Sequence, residues 1–368
     1  MTSLAASNAS GRLSAKLPDE TLVKWLRDML LIREFEVRTM QAYSNALIGG
    51  FCHVYTGQEP VAVGTIACVE DDDPVITAYR DHGHALARGM DPRYAMAEMF
   101  GKAAGCAKGK GGSMHMFDRP NHLYGGHGIV GAQTPLGAGL AFAVKYEREV
   151  LQTTDQKRVC LCYLGDGALN QGAFHEAMNL AGLLDLPVIY IVENNRYSMG
   201  TSIERGTTMA DDLTKKADAY GIEGVEIDGL DVLNIYDEFK PLVDRCRENS
   251  RPAFVDLQTY RYHGHSMSDP QKYRSKDEVS EFQEKDGIDR LAKHLMEERD
   301  AITEDDYKQM NKEVRQIVRD AVKFAEETPA PDLSELTSDV YVNIEPNLSP
   351  TTYYTEGAPN QLLEGDRS

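Results

Sequence analysis

The segment from Val159 to Tyr197 constrains the fold more than any other part of the chain. It opens with an apolar run, Val159-Cys160-Leu161-Cys162-Tyr163-Leu164, followed by Gly165-Asp166-Gly167. It closes with a second run, Val188-Ile189-Tyr190-Ile191-Val192, followed by Glu193-Asn194-Asn195-Arg196-Tyr197. Both runs are short and rich in β-branched or aromatic residues, as strands buried on both faces require. Between them Phe174, Ala177, Met178 and Ala181 recur at helical spacing. The segment reads as one β-α-β unit with parallel strands and a right-handed crossover. Asp166 and Asn195 then fall just past the carboxyl ends of strands in one sheet, where open α/β sheets bind ligands. A carboxylate, an amide oxygen and loop carbonyls suit magnesium, a hard cation that takes oxygen ligands. Bare glycines beside them let a diphosphate approach the backbone.

The 368 residues suffice for one large α/β domain or two medium ones, and 42 % hydrophobic residues supply a substantial core. No apolar run reaches the length of a membrane helix, so no membrane association is expected. The 58 acidic residues outnumber 39 basic ones, for a net charge of -19. With no basic stripe to offset that charge, nucleic acid is not an expected partner. Six cysteines lack any Cys-x-x-Cys pair; Cys160 and Cys162 share one face of a buried strand and read as small hydrophobes.

Residues 1–20 read as a flexible N-terminal arm without an apolar signal-peptide core. Arg12 and Lys16 are its only basic residues up to position 16, a thin basis for a mitochondrial presequence; the expected location is cytoplasmic (bacterial), with the mitochondrial matrix as the alternative. One domain is expected over 21–342. Leu22, Leu26, Met29, Leu30 and Val37 give a helical stripe entered at Pro18-Asp19. Val75–Ala78 reads as a strand. Residues 105–139 are glycine-dense and read as a long functional loop. Phe254–Thr259 is a further strand. Ser275-Lys276-Asp277-Glu278 has the pattern of a capping box, with Ile288, Leu291 and Leu295 on a helical face beyond it. Val314, Ile317, Val318, Ala321 and Val322 mark a last amphipathic helix. Residues 343–368 read as a disordered tail. The fold class is α/β, a largely parallel sheet flanked by helices, with a helical C-terminal part.

Five further stretches carry chemistry-bearing residues: Gly50–Glu59 with His53, Thr77–Gly83 with Tyr79-Arg80, Lys110–Met116, Tyr124–Gln133, and Thr259–Pro270 with His263-Gly264-His265-Ser266. An Arg forks onto phosphate oxygens. A neutral imidazole on a glycine-flanked loop is a suitable proton donor or acceptor. His82, His84 and His115 read equally well as structural hydrogen-bonding residues. His-x-x-x-His or Cys/His spacings for zinc are missing. No Gly-x-Gly-x-x-Gly follows a strand, which sets aside a dinucleotide-binding reading.

Together with the Gly-Asp-Gly…Asn-Asn motif, these stretches closely resemble the alpha subunit of the pyruvate dehydrogenase decarboxylating component. The likeness runs from about Leu22 to about Val342 and is greatest to its alpha-proteobacterial and mitochondrial branch. The resemblance implies a thiamine-diphosphate-binding fold and oxidative decarboxylation of pyruvate, with the acetyl group passed to the lipoyl group of a dihydrolipoyl acetyltransferase. It implies thiamine diphosphate and Mg2+ as cofactors, the ion held by Asp166, Asn195 and the backbone carbonyl of Tyr197. The diphosphate would also meet Tyr79, Arg80, Gly167 and Ala168, and Gly128 and Val130 would present backbone to the aminopyrimidine. His53 would face the substrate, and His265 would stand beside the cofactor and the incoming lipoyl group. Ser266 matches a serine whose phosphorylation switches off mitochondrial relatives. A second such site is missing, because Asp269–Arg274 is one residue shorter and has no serine before Tyr273. The activating acid is not evident: Glu59 is the nearest candidate, but the resemblance places that glutamate in a beta subunit. A two-alpha two-beta heterotetramer is therefore expected. Two alternatives stay open: an alpha subunit of a branched-chain 2-oxo acid or acetoin dehydrogenase, or a cofactor-binding subunit inert without its beta partner.

Overall fold

The computed structural model describes residues 11–340. The chain divides into a large unit, Met1–Ala330, and a small one, Pro331–Ser368. The described part of the small unit is a 3-10 turn, Leu333–Leu336, opened by Asp332 accepting the Ser334 N–H at 2.9 Å. The expected tail over 343–368 lies outside the described residues.

Six parallel strands form the sheet of the large unit: β1 (Val75–Ala78), β2 (Leu123–His127), β3 (Cys160–Gly165), β4 (Val188–Asn194), β5 (Glu223–Asp228) and β6 (Ala253–Gln258). Their spatial order is β2-β1-β3-β4-β6-β5. The chain goes from β1 to one side, then returns past it to β3. The order therefore reverses between β1 and β3, which opens a crevice at their carboxyl ends. In register, Gly165 lies beside Glu193, so Asp166 and Asn195 leave adjacent strand ends close together.

Every residue of β4 is buried, and its side chains alternate between two apolar layers. Ile189 and Ile191 join Leu161, Tyr163, Val255 and Leu257 on one face. Val188, Tyr190 and Val192 join Cys160, Cys162, Leu164 and Phe254 on the other. The expected crossover helix is α6 (Gly172–Leu183), which follows α5 (Gln133–Tyr146); both cover the second face. On the first face α2 (Glu59–Ile66) and α7 (Val232–Asn249) lie nearest the sheet, and α1 (Asp19–Ser44) and α10 (Glu304–Glu327) continue the same apolar cluster behind them. All six cysteines are free, and five of them are buried.

The packing changes several expectations. Val37 is only half-buried, and the α1 stripe runs instead through Phe35, Glu36 and Thr39, so an acid faces the interior. Residues 14–20 of the expected arm are held to the fold. Ser14 donates its N–H and hydroxyl to Asp237 at 2.7 and 2.8 Å, and Arg299 donates to the carbonyls of Ala15 and Leu17. The glycine-dense stretch is no plain loop; it holds β2 and the start of α5. The helix capped by Ser275 is α8 (Lys276–Gln283), and it breaks before α9 (Gly287–Lys293), which Asp286 caps anew. At Ser275 only half a capping box forms: its hydroxyl accepts the Glu278 N–H at 3.1 Å, while the Glu278 carboxylate goes elsewhere. A complete reciprocal box occurs at Thr303 and Asp306, where Asp replaces the Glu or Gln that the pattern seeks.

Phe174 on α6 is fully buried against Tyr190 of β4 and Phe254 of β6, with ring centroids 6.2 Å away in each case. Phe174→Ala should therefore destabilise the protein by about 3–5 kcal/mol. The loss should appear as a lower urea midpoint with the native far-ultraviolet circular dichroism retained.

Candidate functional site

The crevice between β1 and β3 is a cleft of about 230 Å³. Tyr79 and Arg80 enter it from the end of β1, Gly165–Ala168 from the end of β3, and Asn195 from the end of β4. Val130 comes from the segment after β2, and His265 from the loop after β6. Tyr79, Val130, Met199 and His265 also line a second cavity of about 620 Å³, with Phe51, His53, Met114, Gly128 and Ser266. Every residue that the sequence nominated for the site lines one or both of these adjoining spaces. Three strand ends and several connections, far apart in sequence, are needed to do so.

The two glycines around Asp166 have different reasons to be glycine. A Cβ on Gly165 would project into open space in the cleft. One on Gly167 would lie 2.0 Å from Ser198 Oγ. Close packing against Ser198, rather than room for a ligand, therefore requires Gly167. Ser198 belongs to a short hairpin, Tyr197–Ser198 against Thr201–Ser202, whose turn places Met199 at positive φ; Arg196, just before the hairpin, is also at positive φ. Its hydroxyl donates to Asp166 Oδ2 at 3.3 Å. Burial pushes the Asp166 carboxyl up to about 6, against weaker stabilisation from backbone N–H groups and Ser198. A nearby cation would reverse that shift.

Asn195 is oriented by a residue that the motif did not single out. Its Nδ2 donates to Gln58 Oε1 at 3.1 Å, which turns Oδ1 toward the Tyr197 N–H at 3.4 Å. Its neighbour Asn194 is structural: Nδ2 donates to Asp256 at 3.0 Å, and Oδ1 accepts from the Arg196 N–H. The Tyr197 hydroxyl points to Glu278, at 2.9 Å. Only the rest of Tyr197, its backbone included, is left for the cleft. Glu278 also accepts from the Tyr260 hydroxyl at 2.7 Å, which explains why it does not return to cap its own helix.

Arg80 is buried and donates to two carbonyls, Val54 O at 2.6 Å and His265 O at 2.9 Å. Among the described residues no carboxylate pairs with it. Burial lowers its pKa, and Arg261 adds to the effect. An unpaired buried guanidinium on a cleft wall calls for an anion. The His53 ring lies 4.7 Å from Tyr79 and 4.9 Å from His265, centroid to centroid. Burial, then Arg80, pushes the His53 imidazole down to about 2. The same causes push His265 down to about 4. Both are neutral near pH 7.

Other titratable candidates do not line either cavity. Glu59 is fully buried and paired with Arg33 at 3.0 Å, and it accepts the Gly57 N–H at 2.9 Å. It does not line the cleft, so it is not the missing acid of this site. His84 lies 3.2 Å from Glu193, and His115 holds the Gly126 carbonyl at 3.0 Å. His263 gives its carbonyl to Arg261 and Arg274. Gln58, Gln133, Ser198 and Met199 were missed. Gln58 and Ser198 each lie within a few residues of a nominated one, which is the only signal the sequence holds for them.

The family whose description is "Dehydrogenase E1 component" matches residues 27–334. The chain is 49 % identical over 322 residues to the pyruvate dehydrogenase E1 component subunit alpha of Rickettsia felis, covering 88 % of this chain and 96 % of that one. It is 49 % identical over 337 residues to the subunit of the same name from Rhizobium meliloti, covering 91 % and 94 %. To the chloroplastic subunit alpha-3 of Oryza sativa it is 41 % identical over 338 residues, covering 91 % and 79 %.

The depressed histidines link stability to pH. An imidazole whose folded pKa lies below its ordinary 6.5 binds protons more readily when unfolded. The associated stability is present above pH 6.5 and is lost as pH falls toward the folded value. For His53 the slope is about 1.4 kcal/mol per pH unit, or about 2 kcal/mol between pH 7.5 and 5. Urea midpoints should show wild type losing more stability than His53→Phe over that range. Parallel curves for the two proteins would refute the buried neutral imidazole.

Proposed function

We propose a function from one premise: the chain belongs to the dehydrogenase E1 component family. The protein is the alpha subunit of a pyruvate dehydrogenase. It acts in thiamine-diphosphate-dependent oxidative decarboxylation of pyruvate, with a beta subunit completing the enzyme. The names of its relatives support this reading, and so does one observation about the cleft. An unpaired cationic Arg80 and a carboxyl at Asp166 with a single weak side-chain donor face the same space. An anion alone would satisfy Arg80 and leave Asp166 unmatched. A magnesium diphosphate satisfies both.

In this reading Asp166, the Oδ1 of Asn195 and the carbonyl of Tyr197 hold the magnesium. Arg80 forks onto diphosphate oxygens, Tyr79 borders them, and the backbone of Gly167 and Ala168 lies alongside. Gly128 and Val130 present backbone to the aminopyrimidine. Thiamine diphosphate, when bound, supplies the carbanion stabilisation that lets a 2-oxo acid lose carbon dioxide. His53 faces the substrate in the larger cavity, whose walls include Phe51, Met114, Val130 and Met199. His265, neutral because burial and Arg80 hold its pKa down, holds or gives a proton at a ring nitrogen between the two spaces. The larger cavity is the entry for a lipoyl group carried by a dihydrolipoyl acetyltransferase. Ser266 lies on its wall, so a phosphate there would put about 1.5 to 2 negative charges beside it. We assign the working form to a two-alpha two-beta heterotetramer in a bacterial cytoplasm. No helix among the described residues is long and apolar enough to cross a membrane.

Asp166→Ala should weaken magnesium-dependent thiamine diphosphate binding by about a hundredfold or more while leaving the fold intact. Fluorescence titration reads the affinity, and unchanged affinity would remove the metal assignment.

The purified chain alone should decarboxylate pyruvate at a negligible rate and gain turnover when co-expressed with a beta subunit. Carbon dioxide release from pyruvate, measured against branched-chain 2-oxo acids, tests both points. Turnover without a partner would overturn the half-site reading, and a preference for branched acids would move the substrate assignment.

A further inference from the structure

The backbone that carries His53 is pinned on both sides. The His53 N–H donates to Ser113 Oγ at 3.1 Å, and the Tyr55 N–H donates to Glu36 Oε1 at 2.7 Å. Between them Val54 O accepts from Arg80. One imidazole joins the two anchors. His82 Nδ1 lies 2.9 and 3.0 Å from the oxygens of Glu36, and Nε2 lies 2.8 Å from Ser113 Oγ and 3.0 Å from Ser113 O. A carboxylate faces Nδ1, so that nitrogen donates, and Nε2 meets both the hydroxyl and the carbonyl of Ser113; the Glu36 carboxylate outweighs burial and raises the imidazole above its ordinary value. Glu36 and His82 are fully buried, which makes the pair a fixed interior clamp on an ionised acceptor rather than a surface bridge.

Ser113 is itself held from behind. The fully buried Glu98 of α4 (Pro92–Met99) accepts the N–H groups of Ala107 and Gly109 on one oxygen, and of Gly111 and Gly112 on the other, at 2.8–3.0 Å. That ties down the turn immediately before Ser113. None of Glu36, His82 and Ser113 lines either cavity.

We propose that Glu36 and Ser113, bridged by His82, are positioning residues that hold the His53 imidazole in the substrate cavity. The role comes from connectivity. His53 Nδ1 has no protein partner, so nothing on the ring itself fixes its direction. Its orientation must come from its backbone and from the rings of Tyr79 and His265. The inference rests on the proposal that His53 faces the substrate.

The test uses the alpha–beta complex and two variants, Ser113→Ala and Glu36→Gln. Amide hydrogen–deuterium exchange over residues 53–55 should accelerate about tenfold in Ser113→Ala, while exchange over β3 stays unchanged. The kcat/KM for pyruvate should fall about tenfold, with less than about a twofold change in thiamine diphosphate affinity. In a His53→Ala background, Ser113→Ala should cost nothing further, whereas a general structural defect would add its full loss. Unchanged exchange at 53–55, or an undiminished loss in that background, overturns the proposal. Ser113→Ala removes one oxygen and carries the test should Glu36→Gln fail to fold. A wild-type complex inactive on pyruvate would sink the functional reading instead, and the exchange measurement would still decide the positioning.

Discussion

Arg80 is the knot of this site. It sits at the end of β1, and its two nitrogens tie the His53 segment at Val54 and the His265 loop at its backbone carbonyl. Segments 26 and 185 positions away in sequence thus converge on one guanidinium. Carbonyl acceptors leave its charge uncancelled, as a carboxylate partner would not. A guanidinium that is structurally anchored and electrically unspent binds an anion without having to be reorganised.

The same charge sets the state of the neighbouring imidazoles. Burial is the main cause of the low pKa values of His53 and His265, and Arg80 is the next. One buried cation therefore anchors the loops and reinforces the neutrality that burial already imposes on both rings. His82, close after Arg80 on the chain, shows the opposite outcome in the same interior. Burial disfavours its charge too, but Glu36 outweighs it and holds the ring above its ordinary value. On a common background of burial, the neighbouring ion thus decides the direction of the shift: arginine adds to the lowering and glutamate reverses it.

Periodicity and short spacing made part of this architecture legible in the sequence. The β3–α6–β4 unit stood out because fully buried parallel strands leave uninterrupted apolar runs. The site residues at strand ends were legible for the same reason: once Val159–Leu164 and Val188–Val192 were strands, Asp166 and Asn195 had to lie at one sheet edge. β2, Leu-Tyr-Gly-Gly-His, hid inside a glycine-rich stretch because two of its five positions have no side chain to show alternation. β5, at the sheet edge, is only partly buried and lacks an apolar run. Gln58, Ser198 and Ser113 were illegible because they act through contacts at long range. Ser113 meets His53 across 60 positions, and Gln58 meets Asn195 across 137. Glu278 shows a local rule losing to a tertiary one: the capping-box pattern was present, but the hydroxyls of Tyr197 and Tyr260 took the carboxylate.

The buried acids give a criterion that separates scaffold from site. Glu98 accepts four backbone N–H groups, Glu36 a histidine and an N–H, Glu59 an arginine and an N–H, and Asp73 an arginine and two N–H groups. Each is buried where its lone pairs are filled, and none lines the cleft. Two carboxyls depart from that pattern. Asp81 has one oxygen on the Met116 N–H and the other without a partner, and burial pushes it up to about 7. It lies outside the cleft, where burial favours its neutral form and no ligand can reach it. Asp166 has only Ser198 among side-chain donors, is pushed up to about 6, and opens onto the cleft. It can be relieved by a proton or by a cation, and the open space beside it admits either. The acid with the fewest partners is functional only where it also has access. That combination, rather than burial or the Gly-Asp-Gly string alone, distinguishes Asp166 from the other buried carboxyls compared with it.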